Sequence, residues 1–344
     1  MNGSTLKRIL IIQVSRIGDT LFATPAIRTI AEHCPQAHIT VLAHPKRAEV
    51  LEYLPFIHQL GLIEKKRALF KGWFTTKTYD LAFVFGFDSA LVDYALRVAK
   101  QVVAFRQDND AINRHLYQVV ERPAFQSEHA VKQLLHLPAA LGWQATNLRL
   151  AIHITLAEFR HAHERLASIS PENNPAFIIG LQVASFPTKS YRDWPIEAFA
   201  KLTQQIKARI PSAHFLIFGG KAERERTRWL HQHIPEYSTH LAGDLTLRQT
   251  AALMGLSHLY LGIDTGPTHM MSTFNVPMVL MYHCLSPASL TGPLQHPSCV
   301  VIDLPVNEQD CSEQRSLGEI SVEQVLESAI GLIRQHYPLV VKTL

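Results

Sequence analysis

Short apolar runs of strand length recur along the chain, and each is followed by a polar turn and a segment of helical character. Residues 8–14 (RILIIQV) form the first run and residues 38–42 (HITVL) form the second. Runs that are apolar throughout, rather than at alternate positions, are typical of parallel strands covered on both faces. Because parallel strands are joined by crossovers that are usually helical, the pattern predicts an α/β fold with parallel sheets.

The alternation of strands and helices occurs in two series, separated by residues 170–175 (SPENNP), which have the composition of a linker. A chain of 344 residues is also longer than one hydrophobic core usually supports. We therefore predict two Rossmann-like lobes with a central cleft between them, over residues 1–170 and 171–320. An amphipathic helix in residues 321–344 is expected to pack back towards the first lobe.

The composition is that of a globular protein, with 47% hydrophobic and 18% charged residues. No apolar run is long enough to span a bilayer, and the first residues lack a cleavable signal pattern, so we expect a cytoplasmic protein. The four cysteines show no metal-ligand spacing, and reduced thiols are the simplest interpretation for that compartment. The net charge of +4 is compatible with phosphorylated substrates, an anionic membrane face or nucleic acid.

Residues 258–281 (HLYLGIDTGPTHMMSTFNVPMVLM) have the layout of strand, polar turn, helix and strand. This layout places a helix N-terminus at the carboxyl edge of a parallel sheet, where unpaired N–H groups favour an anion such as phosphate. Gly266 lets the backbone approach a ligand closely, and Pro267 suits the first helical turn. The polar side chains around this turn are those of Asp264, Thr265, Thr268 and His269. The alternative is a loop with an ordinary helix cap.

Two further groups of polar residues follow strands of the second lobe. Ser185, Lys189 and Arg192 follow its first strand, and Glu223 follows residues 219–220 (GG). Ligands of open α/β sheets bind outside the carboxyl ends of the strands, where cations suit a diphosphate and a carboxylate suits ribose hydroxyls. Each residue also has a plainer interpretation, as a solvated charge or, for Glu223, as a first-turn helix acid. Their common placement predicts a nucleotide diphosphate site.

The turn after the first strand, residues 15–20 (SRIGDT), contains an acid and a base. The glycine fingerprint GxGxxG is absent there, which disfavours a nicotinamide dehydrogenase. Asp19 has the chemistry of a general base, with Arg16 keeping it ionised or holding substrate. The alternative is that Asp19 only caps a helix beginning near Thr20.

Residues 106–129 are polar, basic and without clear periodicity, and they include Arg114 and Arg122. Such a segment at the carboxyl side of a sheet is compatible with binding an anionic substrate, and equally with a solvated loop. No recognition helix is evident, so we expect no nucleic-acid partner.

Several motifs, in order along almost the whole chain, resemble the signature of glycosyltransferase family 9, the bacterial lipopolysaccharide heptosyltransferases. They are residues 16–19 (RIGD), 24–26 (TPA), 192–195 (RDWP), 219–220 (GG) with Glu223, 241–248 (LAGDLTLR) and 264–269 (DTGPTH). The last of these is the most specific.

The resemblance implies a GT-B fold with an acceptor-binding N-terminal lobe and a donor-binding C-terminal lobe. It implies inverting transfer of heptose from ADP-heptose to the inner core of lipopolysaccharide, on Kdo-lipid A or heptosyl-Kdo-lipid A, with no obligatory metal or other cofactor. The lipid-linked acceptor implies a protein that is peripheral on the cytoplasmic face of the inner membrane, and a monomer is expected.

By position, the resemblance makes Asp19 the general base, Arg192 the cation that stabilises the leaving diphosphate, and Glu223 the partner of the nucleoside sugar. The donor would also contact Ser185, Lys189, Asp264, Thr265, Gly266, Pro267 and His269. The acceptor would contact Arg16, Gly18, Arg114 and Arg122.

The sequence departs from the family pattern at two places. Arg192 stands where the family usually has lysine, and the two cations differ in geometry. Residues 281–287 (MYHCLSP) replace a turn that usually resembles F-G-P-T. A relative that uses another nucleotide sugar or a later core acceptor therefore stays open, as does a non-catalytic nucleotide-sugar-binding protein, although the presence of Asp19 argues against the latter.

Overall fold

The computed structural model describes residues 3–73, 76–124, 126–169 and 176–340. The chain divides into two compact units, Met1–His153 and Ile154–Leu344. The division falls earlier than the predicted boundary at residue 170, and the predicted linker 170–175 lies outside the described residues.

The first unit contains a sheet of six parallel strands in the order β3-β2-β1-β4-β5-β6. The strands are β1 (Arg8–Gln13), β2 (His38–Ala43), β3 (Gln59–Leu62), β4 (Tyr79–Phe85), β5 (Ala99–Phe105) and β6 (Gln118–Val120). Ile9 to Ile12 of β1 are fully buried, as the continuous apolar run predicts for a strand with helices on both faces.

The second unit repeats this architecture, with the strand order β12-β11-β10-β7-β8-β9. The strands are β7 (Phe177–Gln182), β8 (Ala213–Phe218), β9 (Ser238–His240), β10 (Leu259–Ile263), β11 (Met278–Tyr282) and β12 (Cys299–Asp303). Strands β7 and β10 pair in parallel at the centre, where the chain reverses its direction of winding. In such sheets ligands bind outside the carboxyl ends of the two strands at this switch point.

Helices connect the strands in both units. In the first unit they are α1 (Ile17–Phe22), α2 (Thr24–His33), α3 (Lys65–Ala68), α4 (Ser89–Val98), α5 (Asp110–Asn113) and α6 (Ala130–Ala139). In the second unit they are α7 (Leu156–Ala167), α8 (Ile196–Arg209), α9 (Arg224–His233), α10 (Leu247–Gly255), α11 (Gly266–Met271), α12 (Ala288–Thr291) and α13 (Val322–His336). Within the described residues, no helix has the length and apolar character needed to cross a membrane.

Helix α7 explains why the division lies before residue 170. It begins with a capping box between Thr155 and Glu158. The Glu158 carboxylate also accepts two hydrogen bonds from Arg248 of α10, at 2.5 Å from Nε and 2.7 Å from Nη2. Because Arg248 is buried, this bidentate contact fixes α7 to α10, and α7 belongs to the second unit.

The terminal helix α13 is the amphipathic helix expected in residues 321–344. It packs on α8 and on strands β10 and β11, within its own unit. Val325, Ala329 and Ile333 have no exposed surface and join the core of the second sheet. The predicted amphipathic stripe therefore faces this core.

Two details of the first unit differ from the predicted elements. The helix expected to begin near Thr20 is two helices, α1 and α2, and the first begins at Ile17. Residues 106–129, expected to be loose, contain the short helix α5 and the edge strand β6.

Candidate functional site

Three polar residues of the second unit follow neighbouring strands, at the point where each strand ends. Ser185 follows β7, Asp264 follows β10, and Ser286 follows β11. The carboxyl ends of these adjacent parallel strands lie at one edge of the sheet, which is the expected ligand edge of this topology.

Asp264 is the centre of this group, and only 3% of its surface is exposed. Its Oδ2 lies 2.7 Å from Nη1 of Arg192 and accepts a hydrogen bond of 2.6 Å from Ser286. Its Oδ1 lies 3.3 Å from Nε2 of His269 and accepts a hydrogen bond of 3.3 Å from Thr291. A buried carboxylate needs such partners, because an unpaired charge is costly away from water.

The pKa of Asp264 reflects this balance. Burial raises the pKa of the carboxyl group, but the hydrogen bond and charge of His269 lower it, and so do the charge of Arg192 and the hydrogen bond from Ser286. The net pKa lies below the usual value, so the group is an anion at neutral pH. The anion holds the Arg192 guanidinium at the sheet edge.

Lys189 and Arg192 share a support in the 3₁₀ segment Pro187–Arg192. The Lys189 ammonium lies 5.3 Å from the centre of the Tyr191 ring, and the Arg192 guanidinium lies 5.6 Å from it. Ser185 fixes the segment, because its Oγ donates a 2.8 Å hydrogen bond to the Lys189 carbonyl. Both cations therefore lie near the same ring, on one short segment that follows β7, and cations in this position suit a diphosphate.

Arg226 of α9 holds the other end of this segment and was not predicted from the sequence. Its Nε donates to the Val183 carbonyl at 3.0 Å, and its Nη2 donates to the Trp194 carbonyl at 2.5 Å. Asp193 lies 3.5 Å from Arg226 and accepts a 2.8 Å hydrogen bond from the Ser185 backbone. Trp194, which is fully buried, therefore has a structural role in the RDWP motif.

Glu223 and Thr265 both lie at the beginning of a helix. This position agrees with their plainer interpretations, a first-turn acid for Glu223 and an ordinary helix cap for the turn that contains Thr265. The Glu223 carboxylate accepts a 2.6 Å hydrogen bond from the Gly220 backbone N–H. Thr265 is the N-cap residue of α11, whose first residues are Gly266 and Pro267, and its hydroxyl lies 3.2 Å from that of Thr268. Glu223 follows β8, so it lies along the same sheet edge but outside the Asp264 group.

The loop that carries Ser286 also corrects the expectation about the cysteines. Cys284 forms a disulfide with Cys311, while Cys34 and Cys299 are free. His283 is fully buried beside this bond, and its ring contacts Tyr191 at 4.9 Å. Residues 281–287, which depart from the family pattern, therefore form part of the wall around the two cations.

In the first unit, Asp19 lies in the first turn of α1 and is exposed. The helix begins at Ile17 with Arg16 as its N-cap residue, so Asp19 is not the cap. Within the described part of the chain, the Asp19 carboxylate makes no hydrogen bond or ion pair. Gln13 instead donates to the Asp19 backbone carbonyl at 2.8 Å, which holds the turn and leaves the carboxylate available.

The other first-unit candidates are placed as follows. Gly18 is buried within α1, next to Asp19. Arg114 follows α5, is exposed and bonds weakly to the Asp110 carbonyl at 3.4 Å. Arg122 lies 3.1 Å from Asp108, and its guanidinium lies over the Phe87 ring. Arg122 is thus already engaged in structural contacts.

The structure brings Arg192, Asp264 and His269 together and sets Ser185 and Lys189 beside them. Ser286 and Thr291 were missed as partners of Asp264. The sequence did contain a signal for Ser286. This residue follows the strand that comes after the DTGPTH motif, and polar residues after neighbouring parallel strands are expected at the same sheet edge.

Known proteins resemble this chain over most of its length. Residues 71–320 match the model of glycosyltransferase family 9 (heptosyltransferase). The lipopolysaccharide heptosyltransferase 2 of Escherichia coli (strain K12) is 24% identical, over 95% of this chain and 99% of its own length.

Solved structures agree with the fold. A family 9 glycosyl transferase from Veillonella parvula DSM 2008 superposes with a TM-score of 0.83 at 21% identity, and covers 97% of this chain and 99% of that one. The E. coli ADP-heptose lps heptosyltransferase II gives a TM-score of 0.76 at 21% identity, over 95% of this chain and 99% of that one. These superpositions and the two parallel sheets confirm the predicted GT-B fold class.

Proposed function

Because the chain belongs to glycosyltransferase family 9 and is therefore a glycosyltransferase, we propose that it transfers heptose during synthesis of the lipopolysaccharide core. The observation that carries the proposal is the Arg192 guanidinium, held at the ligand edge of the second sheet by buried Asp264 and accompanied by Lys189. The named relative acts in the same class of reaction according to its name.

We propose ADP-heptose as the donor. The related E. coli structure is described as an ADP-heptose heptosyltransferase. Arg192 and Lys189 would meet the diphosphate, while Asp264 and His269 would lie towards the sugar. Ser185, Thr265, Gly266 and Pro267 would form the backbone around the diphosphate, and Glu223 would meet the nucleoside sugar with the carboxylate oxygen that Gly220 does not use.

In the proposed reaction an acceptor hydroxyl oxygen attacks the anomeric carbon of heptose. The proton of that hydroxyl passes to Asp19, the bond to the diphosphate oxygen breaks, and ADP leaves from the opposite face with inversion. Arg192 stabilises the charge that develops on the leaving oxygen. No step in this scheme uses a metal or another cofactor, and we expect activity to persist in the presence of a chelator.

The proposed acceptor is the inner core, as Kdo-lipid A or heptosyl-Kdo-lipid A. Arg16, Arg114 and Arg122 would contact its anionic groups, and Gly18 would let the acceptor approach the start of α1. A lipid-linked acceptor implies work at the cytoplasmic face of the inner membrane, by a monomer associated peripherally with it.

The direct test is transfer from ADP-heptose to Kdo-lipid A and truncated core acceptors, with wild type, Asp19→Asn and Glu197→Gln compared. Glu197 is an exposed acid in the first turn of α8, so its variant removes the same charge from the same kind of position. We expect Asp19→Asn to lower kcat by at least about 100-fold, since general bases contribute this much, and Glu197→Gln to leave it unchanged.

Two results would contradict the proposal in different ways. Full activity of Asp19→Asn would mean that the base lies elsewhere. Turnover with a different nucleotide sugar, and none with ADP-heptose, would overturn the donor assignment, while donor binding without any turnover would favour a non-catalytic role.

A further inference from the structure

The first unit exposes a group of apolar side chains that no role described so far uses. Phe70 is 84% exposed, Trp73 is 65% exposed and Leu69 is 49% exposed. They stand on one short segment, residues 65–73, which begins with helix α3 and which we call the aromatic–basic segment. Scattered single apolar residues are ordinary on a surface, but three within five positions form a patch.

Cations surround these apolar side chains. Lys65, Lys66, Arg67 and Lys71 all lie in the same segment and are exposed. Lys65 lies 3.0 Å from Asp88, and Arg67 lies 3.5 Å from Glu64. Within the described residues, Lys66 and Lys71 make no ion pair. The segment therefore keeps a local excess of positive charge around its apolar side chains.

The segment is held in place by its backbone and by the Trp73 side chain. Arg97 of α4 donates to the Lys71 carbonyl at 2.9 Å and to the Ala68 carbonyl at 2.6 Å. The same guanidinium lies 4.7 Å from the centre of the Trp73 ring, and the Trp73 indole N–H donates to the Leu69 carbonyl at 2.8 Å. Ala68 is fully buried in the core of the unit.

This anchoring means that the exposure is fixed by the fold. Arg97 satisfies two carbonyls and supports one face of the Trp73 ring, while the Phe70 ring is left projecting. Gly72 adopts a positive φ of +83°, and a Cβ there would lie 3.0 Å from a methyl group of Val98, so the chain turns tightly against α4. The fold thus presents the exposed rings on a segment that is anchored to α4.

From these contacts we infer that the aromatic–basic segment docks the protein on an anionic lipid bilayer. Aromatic rings and leucine insert into the headgroup region, and Lys or Arg side chains meet anionic headgroups. The local excess of positive charge is complementary to such a surface. The inference deepens the proposed function, on which it rests for a membrane-borne acceptor, by naming the surface that meets the bilayer.

The segment starts at the carboxyl edge of the sheet and runs along α4 towards the opposite edge. The segment follows the carboxyl end of β3, and Asp19 follows the carboxyl end of β1, two strands away in the same parallel sheet. Strands are spaced about 4.8 Å apart, so β1 and β3 lie about 10 Å apart. The Lys65 end, which pairs with Asp88 at the start of α4, therefore lies towards the Asp19 edge of the sheet, while Gly72 and Trp73 lie against Val98 and Arg97 at the end of α4.

The test is sedimentation of the full chain with vesicles of phosphatidylcholine, with and without phosphatidylglycerol, in the absence of any acceptor. We compare Leu69→Ser/Phe70→Ser with Leu156→Ser, because Leu156 is 83% exposed on the other unit. We expect the first variant to weaken binding by about tenfold or more and the second to have no effect.

A second pair of variants tests the charge. Lys66→Ser/Lys71→Ser should weaken binding to the anionic vesicles by about 25-fold, at roughly fivefold for each cation near the surface. Arg160→Ser/Arg334→Ser removes the same charge from exposed positions of the second unit and should change it little. Added salt should weaken binding of the wild type.

The outcomes separate this inference from the proposed function. Equal binding by all variants, or binding indifferent to phosphatidylglycerol, would overturn the docking surface whatever the enzyme does. Self-association that disappears in Leu69→Ser/Phe70→Ser, without vesicle binding, would assign the patch to a contact between copies. Heptose transfer to a lipid-free acceptor should be unchanged in these variants. If neither wild type nor any variant transfers heptose, the proposed function is contradicted and the docking surface is not.

Discussion

The hydroxyl of Ser286 and the guanidinium of Arg192 contact the same oxygen of Asp264, so each restrains the position of the others. Removing the hydroxyl in Ser286→Ala leaves Asp264 with one donor fewer. We expect a loss of about 1 kcal/mol in the free energy of unfolding and a several-fold rise in KM for the donor. Denaturant unfolding and steady-state kinetics measure the two effects.

Ser298 provides the matched control. Its hydroxyl is also buried and bonds to His336 at 2.7 Å, away from the Asp264 group. Ser298→Ala should cost similar stability and leave the donor KM unchanged. If both variants raise KM alike, the contact between Ser286 and Asp264 has no special role in donor binding.

At this scale the sequence predicted the motif residues but not their partners. Asp264 and His269 lie within one motif, so short spacing makes their proximity evident. Ser286 and Thr291 reach Asp264 from 22 and 27 positions further along the chain. Such contacts depend on how a loop returns across the sheet edge, which propensity and spacing do not determine.

Among the secondary-structure elements, the ion pair between α7 and α10 leads to a pH-dependent prediction. The hydrogen bonds from Arg248 lower the pKa of Glu158 from 4.5 to about 2. Because the folded pKa is depressed, the contribution to stability is complete above pH 4.5 and is lost as the pH falls towards 2. The shift corresponds to about 3 kcal/mol at most.

Glu158→Gln should therefore lower the free energy of unfolding at neutral pH. Between pH 4.5 and 2, the free energy of unfolding of this variant should fall less steeply than that of the wild type. Glu164 is exposed on the same helix, so Glu164→Gln serves as the control and should behave as wild type. Urea unfolding at several pH values gives the comparison. Parallel curves for wild type and Glu158→Gln would show that the ion pair contributes nothing.

The strands that the sequence failed to predict share one property. They are β3, β6, β9 and β12, and each is the edge of a sheet. Edge strands are covered less, as the mixed burial of Gln59–Leu62 shows, so they do not need continuous apolar runs. The central strands, such as β1 and β10, are buried throughout and were predicted correctly.

For the whole molecule, the boundary between the units predicts which C-terminal fragments fold on their own. A fragment of residues 154–344 retains α7 and with it the partner of Arg248. A fragment of residues 171–344, cut at the boundary predicted from composition, leaves a buried cation without its carboxylate, at a cost of about 3–5 kcal/mol.

We therefore expect the longer fragment to unfold cooperatively and the shorter one to aggregate or melt at a lower temperature. Differential scanning calorimetry of both fragments makes the comparison, and the longer fragment with Glu158→Gln should fall between them. Equal melting temperatures for the two fragments would show that α7 is dispensable. Linker composition alone placed the boundary too late, because the contact that binds α7 spans 90 positions in sequence.

The contact between Arg192 and Asp264 also bears on how quickly the site empties after a turnover. A guanidinium that rests against a buried carboxylate offers less than a full positive charge to the next anion that meets it. In the proposed reaction, spent ADP and Asp264 would share Arg192, so the nucleotide would be bound less tightly than by a lone arginine. The carboxylate behind the cation would then limit product inhibition and favour release of ADP.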